Sequence, residues 1–228
     1  MNLWFKHIVL CLLSLLVQAT SDDIAIFYNV YIPPQRSADH AAKNIVKEQL
    51  KQRDNSIVSN VPLYYVTIGR DIGEFENCSN CHRIKHYNEA SEIETLSHLH
   101  EYCTTHQDEK VVYMHSKGSF HKGRHNDDFR HMLNKAIFSD DCLLLKTPPA
   151  TNTTSAESSC KCNICSARFS PIPFHHMTGN MWVAECSYIS KLMHPSKIRS
   201  TMNEMIVSFP KEKFSMLEKC KDWETGVN

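Results

Sequence analysis

Short runs rich in β-branched and aromatic residues alternate along this chain with segments whose apolar residues recur at helical spacing. The runs lie at residues 24–31, 63–68, 111–114 and 181–184, and each has the composition of a buried strand. Strands that alternate with helices of ten or more residues form βαβ units, whose strands are parallel. We therefore predict an α/β fold with a mostly parallel sheet and flanking helices.

Local signals place the helix starts and the loops. Ser91 and Glu94 have the spacing of a capping box, and Asn126 is suited to cap the helix behind the third run. Residues 78–87 are predicted to form a loop. Pro210 is predicted to open a last helix.

The N-terminus has the pattern of a signal peptide. Lys6 precedes a ten-residue apolar run at 8–17, and small residues follow it. We predict a signal peptide over residues 1–19, with an uncleaved signal anchor as the alternative. Either alternative sends residues 20–228, predicted to be a single domain, into the Golgi or endoplasmic reticulum lumen or out of the cell. The protein meets a membrane only if the signal stays uncleaved.

Two N-x-S/T sequons fit that compartment. They begin at Asn77 and Asn152. The second lies in residues 147–159, a polar stretch with almost nothing to bury, which predicts a mobile, glycan-bearing loop.

Nine cysteines follow the predicted signal, and in an oxidising compartment they are expected to form disulfides within loops. Because nine is odd, at least one is unpaired or joined to another chain. Two C-x-x-C pairs have the spacing of a four-thiolate zinc site, which is the alternative. A redox-active pair is disfavoured because neither opens a helix after a strand. The candidates are Cys78, Cys81, Cys103, Cys142, Cys160, Cys162, Cys165, Cys186 and Cys220.

The charge balance excludes one class of partner. The chain has 25 basic and 25 acidic side chains, a formal net charge of zero with histidine neutral. Such a chain lacks the basic surplus of a nucleic-acid-binding domain, so no nucleic acid partner is expected.

Parallel sheets bind ligands at the carboxyl ends of their strands. His115, Ser116, Lys117 and Gly118 follow the third run, and Lys117 is a point charge suited to phosphate. A solvated basic loop is the alternative. The second candidate segment flanks 181–184, where Trp182 is either a platform for a sugar ring or a core residue.

Four histidines crowd the first of these segments and invite a metal interpretation. His121 and His125 are four residues apart, but no acidic third ligand accompanies them. His115 lies before this pair and His131 after it. We therefore predict no metal site there.

These two segments resemble a known group of proteins. The sequences Y-M-H-S-K-G at 113–118 and H-M-T-G-N-M-W-V-A at 176–184, with Arg130 between them, are similar to motifs of glycosyltransferase-like proteins of microalgae, protists and large viruses. Those proteins resemble bacterial rhamnan-synthesis glycosyltransferases and GT-A enzymes. The strand segments 27–31 and 63–69 also fit the resemblance.

The resemblance implies a Rossmann-like GT-A domain that transfers a sugar from a nucleotide sugar to a glycan or glycoprotein acceptor. Such chemistry needs positive charge at the departing diphosphate and a base for the acceptor proton. The implied catalytic residues are His115, Lys117 and Asp127. The implied donor- and acceptor-binding residues are Ser116, Gly118, Arg130, His176, Gly179, Asn180 and Trp182.

The sequence departs from that pattern in two ways. It contains no D-x-D motif for Mn²⁺ or Mg²⁺, so no cofactor is assigned and Lys117, His115 and Arg130 are the candidates to contact the diphosphate. It also ends at Asn228, where relatives of this kind continue, which suggests a short or truncated member. The alternative function is a non-catalytic, secreted glycan-binding or cell-surface protein on the same scaffold.

Overall fold

A six-stranded sheet organises the computed structural model, which describes residues 23–34, 39–75, 78–116, 123–145, 162–170 and 176–208. Along the chain the elements are β1 (Ile24–Ile32), α1 (Asp39–Asp54), β2 (Leu63–Gly69), β3 (Cys81–Tyr87), α2 (Glu92–Thr105), β4 (Lys110–His115), α3 (Arg124–Ile137), α4 (Asp140–Leu143), β5 (Ile164–Ser166), β6 (Phe169–Ser170), β7 (His176–Met177), β8 (Trp182–Glu185), α5 (Cys186–Ile189), a 3₁₀ turn (Pro195–Lys197) and α6 (Ile198–Ser208).

The strand order is β3-β2-β1-β4-β8-β5. The first four strands in this order are parallel, whereas β8 runs antiparallel to both β4 and β5. Strands β6 and β7 form a separate two-stranded sheet. The predicted α/β fold, a mostly parallel sheet with flanking helices and disulfides, is confirmed.

The central strand β1 is buried on both faces, as expected of a parallel strand between helical layers. Its residues alternate between two apolar clusters. Tyr28 and its alternate neighbours pack with Val46 of α1 and Leu133 of α3. Phe27 packs on the other face with Leu99 of α2 and Ile189 of α5.

Three disulfides cross-link the described residues. Cys103–Cys186 joins α2 to α5 and Cys142–Cys165 joins α4 to β5, whereas Cys78–Cys81 closes a short loop before β3. The cysteines of the two C-x-x-C pairs therefore do not form a four-thiolate zinc site, and the disulfide alternative is confirmed for these six. Cys162 is outside any disulfide between described residues, and Cys160 and Cys220 lie outside those residues.

Two local predictions are wrong. Residues 81–87 form the edge strand β3 instead of a loop, because half-buried, charged residues are typical of an exposed sheet edge and leave no continuous apolar run. Asn126 is the third residue of α3, whose N-cap is Gly123. Helix α6 lies ahead of Pro210, which is outside the described residues together with 1–19 and 147–159.

The chain divides into two compact units, one ending at Lys191 and the other beginning at Leu192. The sheet and helices α1 to α5 belong to the first unit, and the second contains the 3₁₀ turn and α6. Among the described helices, none has the length and apolar character needed to cross a membrane.

Candidate functional site

The two segments singled out in the sequence meet at one edge of the sheet. Because β8 is antiparallel to β4, with Tyr113 opposite Trp182, the amino end of β8 lies beside the carboxyl end of β4. Nε2 of His115 lies 2.8 Å from the carbonyl oxygen of Gly179. A carbonyl only accepts hydrogen bonds, so Nε2 is the donor, and in a neutral ring Nδ1 is then the basic nitrogen.

A tight turn carries Gly179 and Asn180 into this edge. Both have positive φ, +87° and +45°, a conformation that glycine and asparagine tolerate. A Cβ on Gly179 would lie 2.6 Å from Cδ1 of Leu133 and 2.9 Å from Cε1 of Phe129. The turn is therefore pressed against α3, and only glycine fits there.

The Asn180 amide links three elements. Its Nδ2 donates to Oε2 of Glu92 at 3.1 Å, and its Oδ1 accepts from the Trp182 indole at 3.1 Å. Glu92 is the first residue of α2, so this link connects α2 to the start of β8. The amide is held by both of its polar atoms, which orients it at the sheet edge.

Glu92 is a site residue that the sequence interpretation missed. Its Oε2 also accepts from the Tyr113 hydroxyl at 2.9 Å. Burial and, secondarily, the Glu92 carboxylate raise the pKa of Tyr113 well above its ordinary value, so the phenol stays protonated. The sequence feature that could have pointed to Glu92 is its position directly after Ser91. Ser91 caps α2 by accepting a hydrogen bond from the Ile93 amide. We define the edge cluster as Glu92, Tyr113, His115, Asn180 and Trp182.

A cleft of about 390 Å³ opens beside the edge cluster, at the carboxyl ends of β1 and β2. Gly69 ends β2 with φ +89°, and a Cβ there would lie 2.1 Å from the Ile32 carbonyl oxygen, so β1 and β2 can approach this closely only with glycine. The sequence interpretation also missed this cleft and its cation, Arg70. We define the strand-end cleft as the space lined by Tyr31, Pro34, Ile68, Gly69, Arg70, Asn88, Glu89 and Ala90.

Ser116 joins the edge cluster to the strand-end cleft. Its hydroxyl accepts from the Tyr31 amide at 2.9 Å and donates to the Tyr31 carbonyl at 3.4 Å, and the Ser116 amide donates to Asn29. The side chain is 5% exposed. Ser116 therefore extends the pairing of β1 with β4. The sequence predicted a contact with the donor substrate for this residue and did not predict this structural role.

Arg130 lies on α3 with its charge satisfied inside the protein. Its guanidinium bonds Glu48 at 2.9 Å and Asp127 at 2.8 Å and is 3% exposed. Burial acts to lower the pKa of Arg130, but the hydrogen bonds that Arg130 donates to Glu48 and Asp127 outweigh it, and the pKa is raised. Arg130 was predicted to contact the diphosphate, and Asp127 was predicted to be catalytic. In the structure these two side chains form an ion pair with each other.

A buried polar network lies under the edge cluster on the α1 and α3 face. Gln49 accepts from the Tyr28 hydroxyl at 2.6 Å and donates to Oδ1 of Asn134 at 3.0 Å and to the His115 carbonyl at 3.1 Å. Because Gln49 and Asn134 are fully buried, these bonds are costly to break. The network holds the backbone of His115 in place.

Trp182 is a core residue. It is 8% exposed, packs against Tyr113 with ring centroids 5.4 Å apart and belongs to the apolar cluster around α2. Of the two interpretations that the sequence left open, the structure matches the core one, because a buried indole offers no free face to a sugar ring.

The remaining predicted residues are not described. Lys117, Gly118 and His121 lie outside the described residues, as do the sequon asparagines Asn77 and Asn152. Of His176 only the backbone is described. Within the described ranges, no three His, Cys, Asp or Glu side chains are arranged to hold a metal ion. The described donors therefore do not fit the divalent cation of a metal-dependent transferase.

A family model described as "Domain of unknown function (DUF8361)" matches residues 27–227, and no curated protein matches the chain. Among solved structures, a "putative nucleotide-diphospho-sugar transferase" from Desulfovibrio desulfuricans G20 is similar, with a TM-score of 0.29 and 12% identity. The likeness covers 50% of this chain and 54% of that one, so the chain spans about half the length of that protein.

Proposed function

The chain belongs to the DUF8361 family, and we propose that it is a glycosyltransferase that moves a sugar from a nucleotide sugar to a glycan or glycoprotein acceptor. The observation that carries the proposal is the junction of two polar sites at one sheet edge. Ser116 bonds Tyr31 of the strand-end cleft, and its neighbour His115 belongs to the edge cluster. A bound donor would span both, with its nucleotide in the cleft and its sugar at the cluster.

The strand-end cleft has the chemistry for the nucleotide half. It lies at the carboxyl ends of parallel strands, where such folds bind nucleotides. Arg70 supplies a guanidinium whose planar donors match phosphate oxygens. Tyr31 and Pro34 supply apolar surface for a base. Lys117, two residues beyond His115, is the second cation proposed for the diphosphate.

The edge cluster has the chemistry for the acceptor half. Sugar transfer to a hydroxyl requires a base for the hydroxyl proton. With Nε2 donating to the Gly179 carbonyl, Nδ1 of His115 is the nitrogen that would take it. The protonated Tyr113 and the amide of Asn180 orient the Glu92 carboxylate. No step is assigned to a metal ion.

Ligand-dependent thermal unfolding tests this proposal. A ligand present at about 100 times its Kd stabilises the native state by about 2.7 kcal/mol. We expect one class of nucleotide sugar to raise the melting temperature, Arg70→Ala to abolish the rise, and Arg168→Ala, an exposed arginine outside the cleft, to keep it. The panel is run with and without Mn²⁺. A cooperative transition that no nucleotide sugar moves would contradict the proposal.

One observation favours a second function, a secreted glycan-binding protein without catalysis. Two residues predicted to contact the donor, Arg130 and Ser116, have partners within the protein. This function predicts stabilisation by free saccharides and none by nucleotide sugars. The same unfolding assay with a saccharide panel separates the two functions.

We also propose that the protein resides in the secretory pathway. The signal-like N-terminus and the three disulfides support this compartment. Expression in a secreting cell should release a product that begins after residue 19 and that shifts in mass when N-glycans on Asn152 are removed. A product retained in the cytosol with an intact N-terminus would contradict the proposal.

A further inference from the structure

A buried guanidinium faces the Cys78–Cys81 disulfide. Nη1 of Arg53, near the end of α1, lies 3.5 Å from Sγ of Cys78 and 3.7 Å from Sγ of Cys81. The Arg53 side chain is 6% exposed. Its other edge bonds the carboxylate of Asp54, through Nε at 2.9 Å and Nη2 at 2.6 Å. Asp54 thus fixes the guanidinium so that Nη1 points at the two sulfurs.

The positive charge of Arg53 matters little to a disulfide and much to a thiolate. A neutral disulfide gains only weak bonds from Nη1, whereas a thiolate at the same place gains a charge-assisted hydrogen bond. Cations beside a C-x-x-C pair favour the reduced form in this way. Asp54 offsets part of the effect, but its side chain is 54% exposed and therefore well solvated.

The other two disulfides differ in accessibility and in what they hold together. Cys103 and Cys186 are fully buried, and Cys142, 2% exposed, is joined to a half-buried Cys165. In Cys78–Cys81 neither cysteine is buried, and both are half-buried. Cys78–Cys81 spans three positions, against 83 and 23 for the others. A cross-link that closes so short a loop restrains the unfolded chain least, so the fold does not depend on it.

We propose that Cys78–Cys81 is a thiol–disulfide exchange site, with Arg53 as the residue that stabilises its reduced form. A thiolate of a small dithiol attacks one sulfur and forms a mixed disulfide, and the other cysteine leaves as a thiolate facing Arg53. The second thiol of the reductant then displaces the first cysteine. Two electrons pass to the chain, the reductant becomes a cyclic disulfide, and one proton is released for each cysteine that remains a thiolate.

The site is separate from the edge cluster and the strand-end cleft. Cys81 begins β3, and Asn80 bonds the first residue of β2. The pair therefore lies at the amino ends of the strands, whereas the proposed transferase site lies at their carboxyl ends. The exchange activity stands whether or not the protein transfers sugar.

Reduction of the full-length secreted protein tests the proposal. The native protein is titrated with dithiothreitol, free thiols are trapped with iodoacetamide, and the labelled peptides are quantified by mass spectrometry. Cys78 and Cys81 should become labelled at the lowest dithiothreitol concentration, while Cys103, Cys142, Cys165 and Cys186 stay protected and the near-ultraviolet circular dichroism is unchanged.

Two variants, one that removes a positive charge and one that removes a negative charge, test the effect of charge on the ease of reduction. Arg53→Gln should raise the dithiothreitol concentration at half-reduction by about threefold or more, and Asp54→Asn should lower it. A merely structural role would move both variants in the same direction. If Arg53→Gln does not fold, Asp54→Asn alone decides the sign. The proposal is overturned if Cys78–Cys81 opens only when the protein unfolds, or if Asp54→Asn leaves the midpoint unchanged or raises it.

Discussion

Two hydrogen-bond donors from different elements share one oxygen of Glu92, and removing either donor should lower the stability of the protein. Tyr113 contributes from β4 and Asn180 from the turn before β8. A buried polar group left without its partner costs about 1–3 kcal/mol. The cluster is therefore specified residue by residue, and its ionisable members respond to pH in a predictable direction.

Stability should fall steeply in alkali because three tyrosines, Tyr28, Tyr65 and Tyr113, are buried. Burial raises the pKa of both Tyr28 and Tyr113 above their ordinary value of about 10. Above pH 10 the unfolded chain releases these phenolic protons while the folded protein retains them, so stability is lost as the pH rises. Each tyrosine contributes a slope of about 1.4 kcal/mol per pH unit, measurable by urea unfolding between pH 8 and 11.

The Tyr113→Phe variant is the control for this slope. It should be less stable at pH 8, because Glu92 loses a donor, yet its stability should decline less steeply above pH 10. An unchanged slope would mean that Tyr113 ionises normally in the folded protein.

Ser116→Ala should destabilise the protein by about 1–3 kcal/mol, because the backbone amide of half-buried Tyr31 loses its acceptor. Ser200→Ala is the matched control, since the Ser200 hydroxyl is exposed and bonds only the Lys197 carbonyl among the described contacts. It should change stability by less than about 0.5 kcal/mol. Equal effects of the two substitutions in urea unfolding would contradict the role of Ser116.

At the scale of elements, the turn before β8 is positioned by its contact with α3. Gly179→Ala should cost about 1–3 kcal/mol, because it adds a clash with Leu133 to an unfavourable φ. Gly73→Ala separates the two effects, since Gly73 has φ +76° and nothing within 4 Å of its would-be Cβ. Chemical denaturation should show the larger loss for Gly179→Ala, and equal losses would remove the packing argument.

The three disulfides should contribute unequally to the element packing. Replacing Cys103 and Cys186 by serine frees α2 from α5 and should cost about 2–5 kcal/mol. The same replacement of Cys78 and Cys81 should cost much less, because that loop is short. Melting of the two double variants, each compared with the parent protein, measures the difference. A larger loss for the second would contradict the ranking.

Runs rich in β-branched and aromatic residues predicted the four principal strands, and apolar residues at helical spacing predicted the helices between them. These patterns missed β3 and β5, the two edge strands of the sheet, whose residues are mostly half-buried. Such strands are held by backbone pairing with a neighbour, such as Tyr64 opposite His82, more than by their own side chains. Local sequence carries little information about a bond to a distant strand.

At the scale of the whole molecule, the absence of net charge predicts how the protein meets polyanions. With 25 basic, 25 acidic and 14 histidine residues, the chain should pass through heparin at pH 7.4 and 0.15 M salt. Retention at pH 7.4 would reveal a basic surface and contradict the exclusion of nucleic acid.

The sequence alone determined the fold class, the predominance of disulfides and the two segments of the candidate site, because periodicity, composition and short motifs are local properties. Only the tertiary structure decided that Glu92 bonds Tyr113 and Asn180, that Arg130 and Ser116 have partners inside the protein, and that Trp182 is buried. These outcomes depend on contacts between residues 21 to 88 positions apart, and hydrogen bonds and ion pairs between separate elements exist only once the sheet has set its strand order.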